Sequence, residues 1–202
     1  DGDSETYAFT GYGSWLADNG MFVDVTGKVG RLKNSFDIST TLGTASGSYN
    51  TNAFSLSAEA GWRLHPLDNS LYVEPQVEMM YGRVLDADYT TSMGVAVEHE
   101  AVDTLIGRVG FVLGLKCPNN RGNTYVRASI LHDWQGDAES TFTKGGQTKR
   151  ISEELGDTWL EYGVGANFNA TKNLHLYADL EATEGAKVET SYRFNLGARW
   201  SF

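Results

Sequence analysis

Cysteine is nearly missing from this chain of 202 residues: Cys117 stands alone, so the chain can form no internal disulfide and no thiolate zinc centre. Basic residues are also few, 16 against 26 acidic, for a formal net charge of −10. None of the Lys and Arg residues form a block, which argues against a nucleic-acid partner, because the phosphate backbone demands clustered cations. No stretch approaches the roughly 18 consecutive apolar residues of a membrane helix, and 21% of the chain is charged, so a helical membrane protein is excluded. The opening DGDSETYAFT has neither a basic region nor an apolar core, so it is no signal peptide, and the chain is expected to be a mature product or a piece of something longer. Only three prolines accompany 23 glycines, 5 Trp, 10 Tyr and 9 Phe. That balance fits many aromatic-rich strands relieved by glycine better than a helical bundle.

What is present is alternation of period two. Nine runs carry it, at 6–16, 20–33, 50–64, 70–84, 102–116, 123–135, 157–168, 173–183 and 188–202. Each holds about the ten residues that a tilted strand needs to cross a bilayer. Within a run the parity separates two chemistries. Phe54, Leu56, Ala58, Ala60, Trp62 and Leu64 oppose Ser55, Ser57, Glu59, Gly61 and Arg63. Tyr192, Phe194, Leu196, Ala198, Trp200 and Phe202 likewise oppose Arg193, Asn195, Gly197 and Arg199. A soluble β-sandwich would alternate in the same way with its apolar face turned inward. The connections favour a barrel instead. Short links at 17–20, 65–70, 117–123 and 169–173 alternate with longer polar ones at 34–49, 85–101 and 136–156, as expected when short turns face the periplasm and long loops face outward. Aromatics near strand ends, Tyr72, Tyr81, Tyr125, Trp134, Trp159, Tyr177, Trp200 and Phe202, are expected to form girdles at the lipid headgroups. The fold class is therefore all-β, an antiparallel transmembrane β-barrel.

The chain ends in NLGARWSF, a polar–x–Gly–x–x–aromatic–x–aromatic pattern on Asn195, Gly197, Trp200 and Phe202. It looks like the terminal assembly signal of outer-membrane barrels, in which an edge strand offers unpaired backbone groups for augmentation and its aromatics add specificity. Further segments match in fixed order: FVDVTGKVGRLKNSF at 22–36, YNTNAFSLSAEAGWRL at 49–64, LYVEPQVEMMYGRV at 71–84, VDTLIGRVGFVLGLK at 102–116, YVRASILHDWQGDAESTFT at 125–143 and LGDTWLEYGVGANFNATKNLHLYADLEATEG at 155–185. Together they resemble the translocator domain of autotransporters, the type V secretion proteins. The resemblance covers essentially the whole of 1–202 as a single domain. It implies a bacterial outer-membrane location, a family barrel of twelve strands and export of an N-terminal passenger. The implied partners are outer-membrane lipid, the barrel assembly machinery, and the passenger with its linker. TYAFTGYGSWLADNG aligns with the fourth of the family's strands, so about nine strands are represented, and the first three and the linker helix have no counterpart. Nine is also odd, whereas single-chain bacterial barrels use even numbers, so the wall is expected to be open on one side.

Inward charges are expected to line the pore: Arg63, Glu74, Gln76, Glu78, Arg108, Arg127, Glu161, Asp179, Arg193 and Arg199, with Asp24, Lys28, Glu59 and Glu181 on the same face. Glu74 and Glu78 are spaced for general acid–base work, but a polar lumen needs such residues in any case, and opposite charges across strands solvate one another. Some members of the resembling family cut a linker asparagine with lumen acids, and that linker has no counterpart here. No catalytic residue is assigned and no enzyme activity is expected. His65, His99, His132 and His175 lack the spacing of a metal site, and neither a metal nor a cofactor is expected. No G-x-S-x-G elbow occurs. Gly107, Gly110 and Gly114 are read as places where a strand curves and a neighbouring ring can lie. The alternative functions are a small outer-membrane pore or adhesin, with binding carried by 34–49, 85–101 and 136–156, and a soluble sandwich binding module.

Overall fold

A strand that is apolar on one side and polar on the other must choose which side meets solvent, and here the choice is the reverse of a soluble protein's. The computed structural model describes residues 1–40, 43–66, 70–118, 121–185, 187 and 191–201. Its main body is one antiparallel sheet of nine strands. These are β1 (Gly2–Leu16), β2 (Met21–Thr40), β3 (Gly43–Trp62), β4 (Leu71–Val84), β7 (Val102–Lys116), β8 (Gly122–Asp133), β11 (Thr158–Asn169), β12 (Leu174–Glu184) and β13 (Arg193–Trp200), in that order across the sheet. The nine alternating runs correspond one to one with these strands.

The sheet is curled. On its concave face polar side chains are sheltered, with Glu74 at 5% exposure and Glu181 at 7%. On its convex face the apolar ones are bare, with Val109 at 66% and Leu196 at 73%. Water would penalise that face heavily, at about 25 cal/mol for each Å² of apolar surface. A hydrocarbon solvent would not, and the aromatic residues Trp15, Trp62 and Trp200 stand on the convex face at the short-turn end. No second sheet covers this surface among the described residues, so the sandwich alternative falls.

Two expectations are corrected. The link 34–49 is not a loop: β2 and β3 continue through it as one hairpin, paired from Met21↔Trp62 to Thr40↔Gly43. Beyond the apolar band the outer face of the hairpin meets water and its inner face meets the links described next, so no outward apolar residues mark this part of the strands in the sequence. Links 85–101 and 136–156 are likewise hairpins, β5 (Ala87–Thr90) with β6 (Ala96–His99), and β9 (Asp137–Lys144) with β10 (Gln147–Glu154). They join edge to edge through β6 and β9 into a four-stranded cap around the buried Val97 and Ala87. At the opposite end the short turns are tight. In the first, Gly20 adopts φ 87° and donates to the Ala17 carbonyl at 3.0 Å.

Candidate functional site

Strand parity delivers the charged side chains to the concave face, and cross-strand register decides which of them meet. Arg63 follows β3 and bonds through Nε to Glu74 Oε2 on β4 at 2.6 Å, while its guanidinium lies 4.6 Å from the centre of the Tyr72 ring. Gln76 Nε2 donates to the other oxygen of Glu74 at 2.8 Å. Arg108, on β7, reaches across two strands: Nε donates to Glu78 at 2.8 Å and Nη2 to Glu59 at 2.6 Å. Glu59 and Glu78 are direct cross-strand partners, so Arg108 bridges two carboxylates that would otherwise repel each other. A second group forms around β8, β12 and β13. There Arg127 pairs with Glu181 and lies 3.8 Å from Asp179, and Arg193 donates to Glu181 at 3.3 Å.

Of the residues expected in the pore, Arg63, Glu74, Gln76, Arg108 and Arg127 line one continuous concavity. Glu78, Glu161 and Arg193 line another toward the cap, and Asp179 and Arg199 lie on the same concave face by register. Glu161 and Arg199 make no ion pair among the described residues. Asn195, Gly197 and Trp200 are on β13, an edge of the sheet, with the first two concave and Trp200 convex. Phe202 lies outside the described residues.

Half of the expected aromatic girdle is corrected. Tyr81, Trp134 and Trp200 stand on the convex face, but Tyr72, Tyr125, Trp159 and Tyr177 point into the concavity, sharing parity with Glu74, Arg127, Glu161 and Asp179. The inward tyrosines have a purpose that composition does not reveal. Tyr72 faces Gly114, Tyr125 faces Gly165 and Tyr177 faces Gly197, each pair directly opposite in register, and Phe22 faces Gly61 in the same way. A Cβ at any of these glycines would strike the ring lying over it. Four rings on alternate strands thus pave the concave face at its short-turn end, each seated in the space a missing side chain leaves. Gly114 was expected to host a ring and does. Gly107 hosts Trp134 on the convex face, and at Gly110 the space is taken by Ser129. The signal that could have found the floor is the inward parity of an aromatic in the first turns of β2, β4, β8 and β12.

At the other end the cap leans on the inner face of the β2–β3 hairpin. Tyr89 of β5 stacks on Tyr49 at 5.1 Å between centroids and meets Phe36 edge-on at 5.9 Å, while His99 of β6 lies 5.2 Å from Tyr49 and 5.5 Å from Tyr89. Gly47 leaves the room that the Phe36 and Tyr89 rings occupy. The half-buried His99 bonds through Nδ1 to Ser140 Oγ of β9 at 2.7 Å, and burial pulls its pKa below the ordinary 6.5, opposed by the nearby Asp88 carboxylate. A histidine with a depressed folded pKa contributes stability above its unfolded pKa and loses it as pH falls through the folded value. The protection factors of the β5 and β6 amides, measured relative to intrinsic exchange at each pH, are therefore expected to fall on going from pH 7.5 to pH 5. His99→Phe keeps the ring and should abolish that fall. An unchanged pH response in His99→Phe would remove the histidine from the account.

With this geometry in view, comparisons with known proteins converge. Residues 1–181 match the family model described as the autotransporter beta-domain. The pertactin autotransporter of Bordetella parapertussis is 30% identical over 205 residues, covering 100% of this chain and 22% of that protein. The chain thus spans about a fifth of the length of this relative. Among solved structures, the β domain of the Bordetella autotransporter BrkA superposes with a TM-score of 0.72 at 25% identity, covering 100% of this chain and 75% of that one. The translocator domain of NalP from Neisseria meningitidis, at 18% identity, shares the fold with a TM-score of 0.74, over 100% and 69%.

Proposed function

Because the chain belongs to the autotransporter beta-domain family, we propose that it is the wall of an outer-membrane translocator through which an N-terminal passenger reaches the cell surface. The observation that carries this reading is the inverted sheet, apolar outside and charged within, in a chain of that family. Its solvent is the lipid of the outer membrane of Gram-negative bacteria. The inward groups of Arg63, Glu74, Arg108, Arg127, Glu161 and Asp179 then line a wet conduit. Balanced pairs such as Arg63 with Glu74 keep the conduit from binding either sign of charge tightly, which suits a passage that a chain must leave as well as enter. Asn195, Gly197 and Trp200, with Phe202, serve as the mark that the barrel assembly machinery recognises.

Closure is the further requirement. β1 and β13 are the two edges of the nine-stranded sheet, and an edge left open in hydrocarbon costs several kcal/mol for each unpaired backbone group. The proposed resting form has both edges paired with further strands of the same barrel. The translocator reading is tested on the full-length protein in intact Gram-negative cells treated with an added protease. The expected result is digestion of the segment upstream of β1 while the strands described here stay protected in the outer-membrane fraction. An upstream segment that is digested only after the outer membrane is broken would overturn it.

A further inference from the structure

The convex face carries its cations unevenly. At the cap side of the apolar band, the first outward residues beyond it are Glu5 and Tyr7 on β1, Arg31 and Lys33 on β2, Asn50 and Asn52 on β3, Arg83 on β4 and Asp103 on β7. At the same level on β8 to β13 the outward residues are Trp134, His132, Thr158, Glu184 and Tyr192, with no Lys or Arg among the described residues. Generic snorkelling of cations to the interface would spread them around the circumference. Here all three fall on β2 and β4, which flank β3 and lie about 10 Å apart at the usual strand spacing.

The three cations retain binding capacity. Arg31 makes no ion pair among the described residues and is exposed. Lys33 lies 3.9 Å from Glu5 and 5.4 Å from the centre of the Tyr7 ring, and both Lys33 and Glu5 are about half exposed. Arg83 meets Asp103 only through Nη1, at 3.3 Å, and Tyr81 donates to the same carboxylate at 2.6 Å. The remaining N–H donors of Arg83 face outward in a side chain already held in place. Directly toward the membrane lies an apolar row, Phe9, Val29 and Phe54 in register across β1, β2 and β3. Cations above an apolar strip, on a lipid-facing wall, match a ligand with anionic phosphates above acyl chains.

We propose that Arg31, Lys33 and Arg83 form a binding site for the phosphorylated glycolipid of the outer leaflet, its phosphates on the cations and its acyl chains along Phe9, Val29 and Phe54. The site rests on the outer-membrane placement argued above and adds a partner for one sector of the wall. By holding a bulky lipid there it would fix which sector of the barrel faces ordered lipid.

The test uses the full-length protein, recovered from the outer-membrane fraction in a non-ionic detergent, which checks the placement independently. Native mass spectrometry titrates it with bis-phosphorylated lipid A and with the same lipid after phosphate removal. The phosphorylated form is expected to bind about a hundredfold more tightly, given roughly a fivefold contribution from each of the three cations. Arg31→Gln with Lys33→Gln should erase most of that preference, whereas Lys149→Gln with Arg150→Gln, on β10 in the cap, should leave it. The wild-type preference should also shrink as sodium chloride is raised, a reading that needs no variant. Equal binding of the two lipids, or an unchanged preference in the Arg31 and Lys33 variant, would overturn the site.

Discussion

Gly114→Val is expected to lower the yield of folded, heat-modifiable barrel at least tenfold. The Tyr72 ring, 2% exposed, lies across Gly114, and even one added carbon at that position would fall within the ring. Arg63 covers Tyr72 from within the concavity, so the ring cannot swing aside without giving up that contact as well. Glycine is required here for space and not for conformation, since Gly114 is absent from the positive-φ positions. Overpacking a site closed on both sides costs about 3 kcal/mol, more than a hundredfold in the folding equilibrium. Tyr72→Ala in the same chain should recover part of the loss, because it removes the ring that the valine strikes. Gly11→Ala is the control: a Cβ there meets nothing within 4 Å, and no effect is expected. The measurement is gel mobility of the membrane fraction with and without boiling. A normal shift in Gly114→Val would show that the tyrosine floor does not hold the sheet together.

Arg108→Leu should lower the temperature at which the folded band is lost by roughly 4–12 °C. Arg108 is 13% exposed and bonds carboxylates on two other strands, so its removal strands Glu59 and Glu78 against each other in a half-sheltered setting. Charge-assisted hydrogen bonds of this kind contribute about 1.5–3 kcal/mol, and leaving their acceptors unpaired adds to the loss. Lysine at the same position keeps the charge but cannot reach both acids as a fork, so Arg108→Lys should fall between wild type and Arg108→Leu. Arg199→Leu, on the exposed edge strand β13 and without an ion pair among the described residues, should change little. If Arg199→Leu proves as damaging as Arg108→Leu, total lumen charge and not this bridge sets the stability.

The membrane part of the fold was legible because lipid on one side and water on the other stamp period two onto every strand that separates them. Beyond the membrane no strand face meets lipid, and that stamp vanishes. The upper half of the β2–β3 hairpin and all four cap strands therefore read as loops, and the β6–β9 pairing joins residues 41 to 47 positions apart that share no local signal. Among the charges, the face could be read from parity, but the partners could not. That Arg108 bridges Glu59 and Glu78 depends on register between strands, which a single sequence does not state. Tyr72, Tyr125 and Tyr177 lie near strand ends and so read as girdle residues, yet each shares its parity with a lumen charge two residues away, and that local fact gives its true face.

Once the cap strands are set aside, the order of strands across the sheet is their order along the chain, so every membrane hairpin leans only on the ones before and after it. Pulled from an end, such a sheet should come apart like a zipper, one hairpin at a time and at low force, because antiparallel neighbours peeled from a turn break their bonds in series. The cap interrupts that sequence. Since β6 is tied to β9, a pull that has freed β4 and β7 meets a load shared with β8 and β11, and a force trace should show its tallest step there.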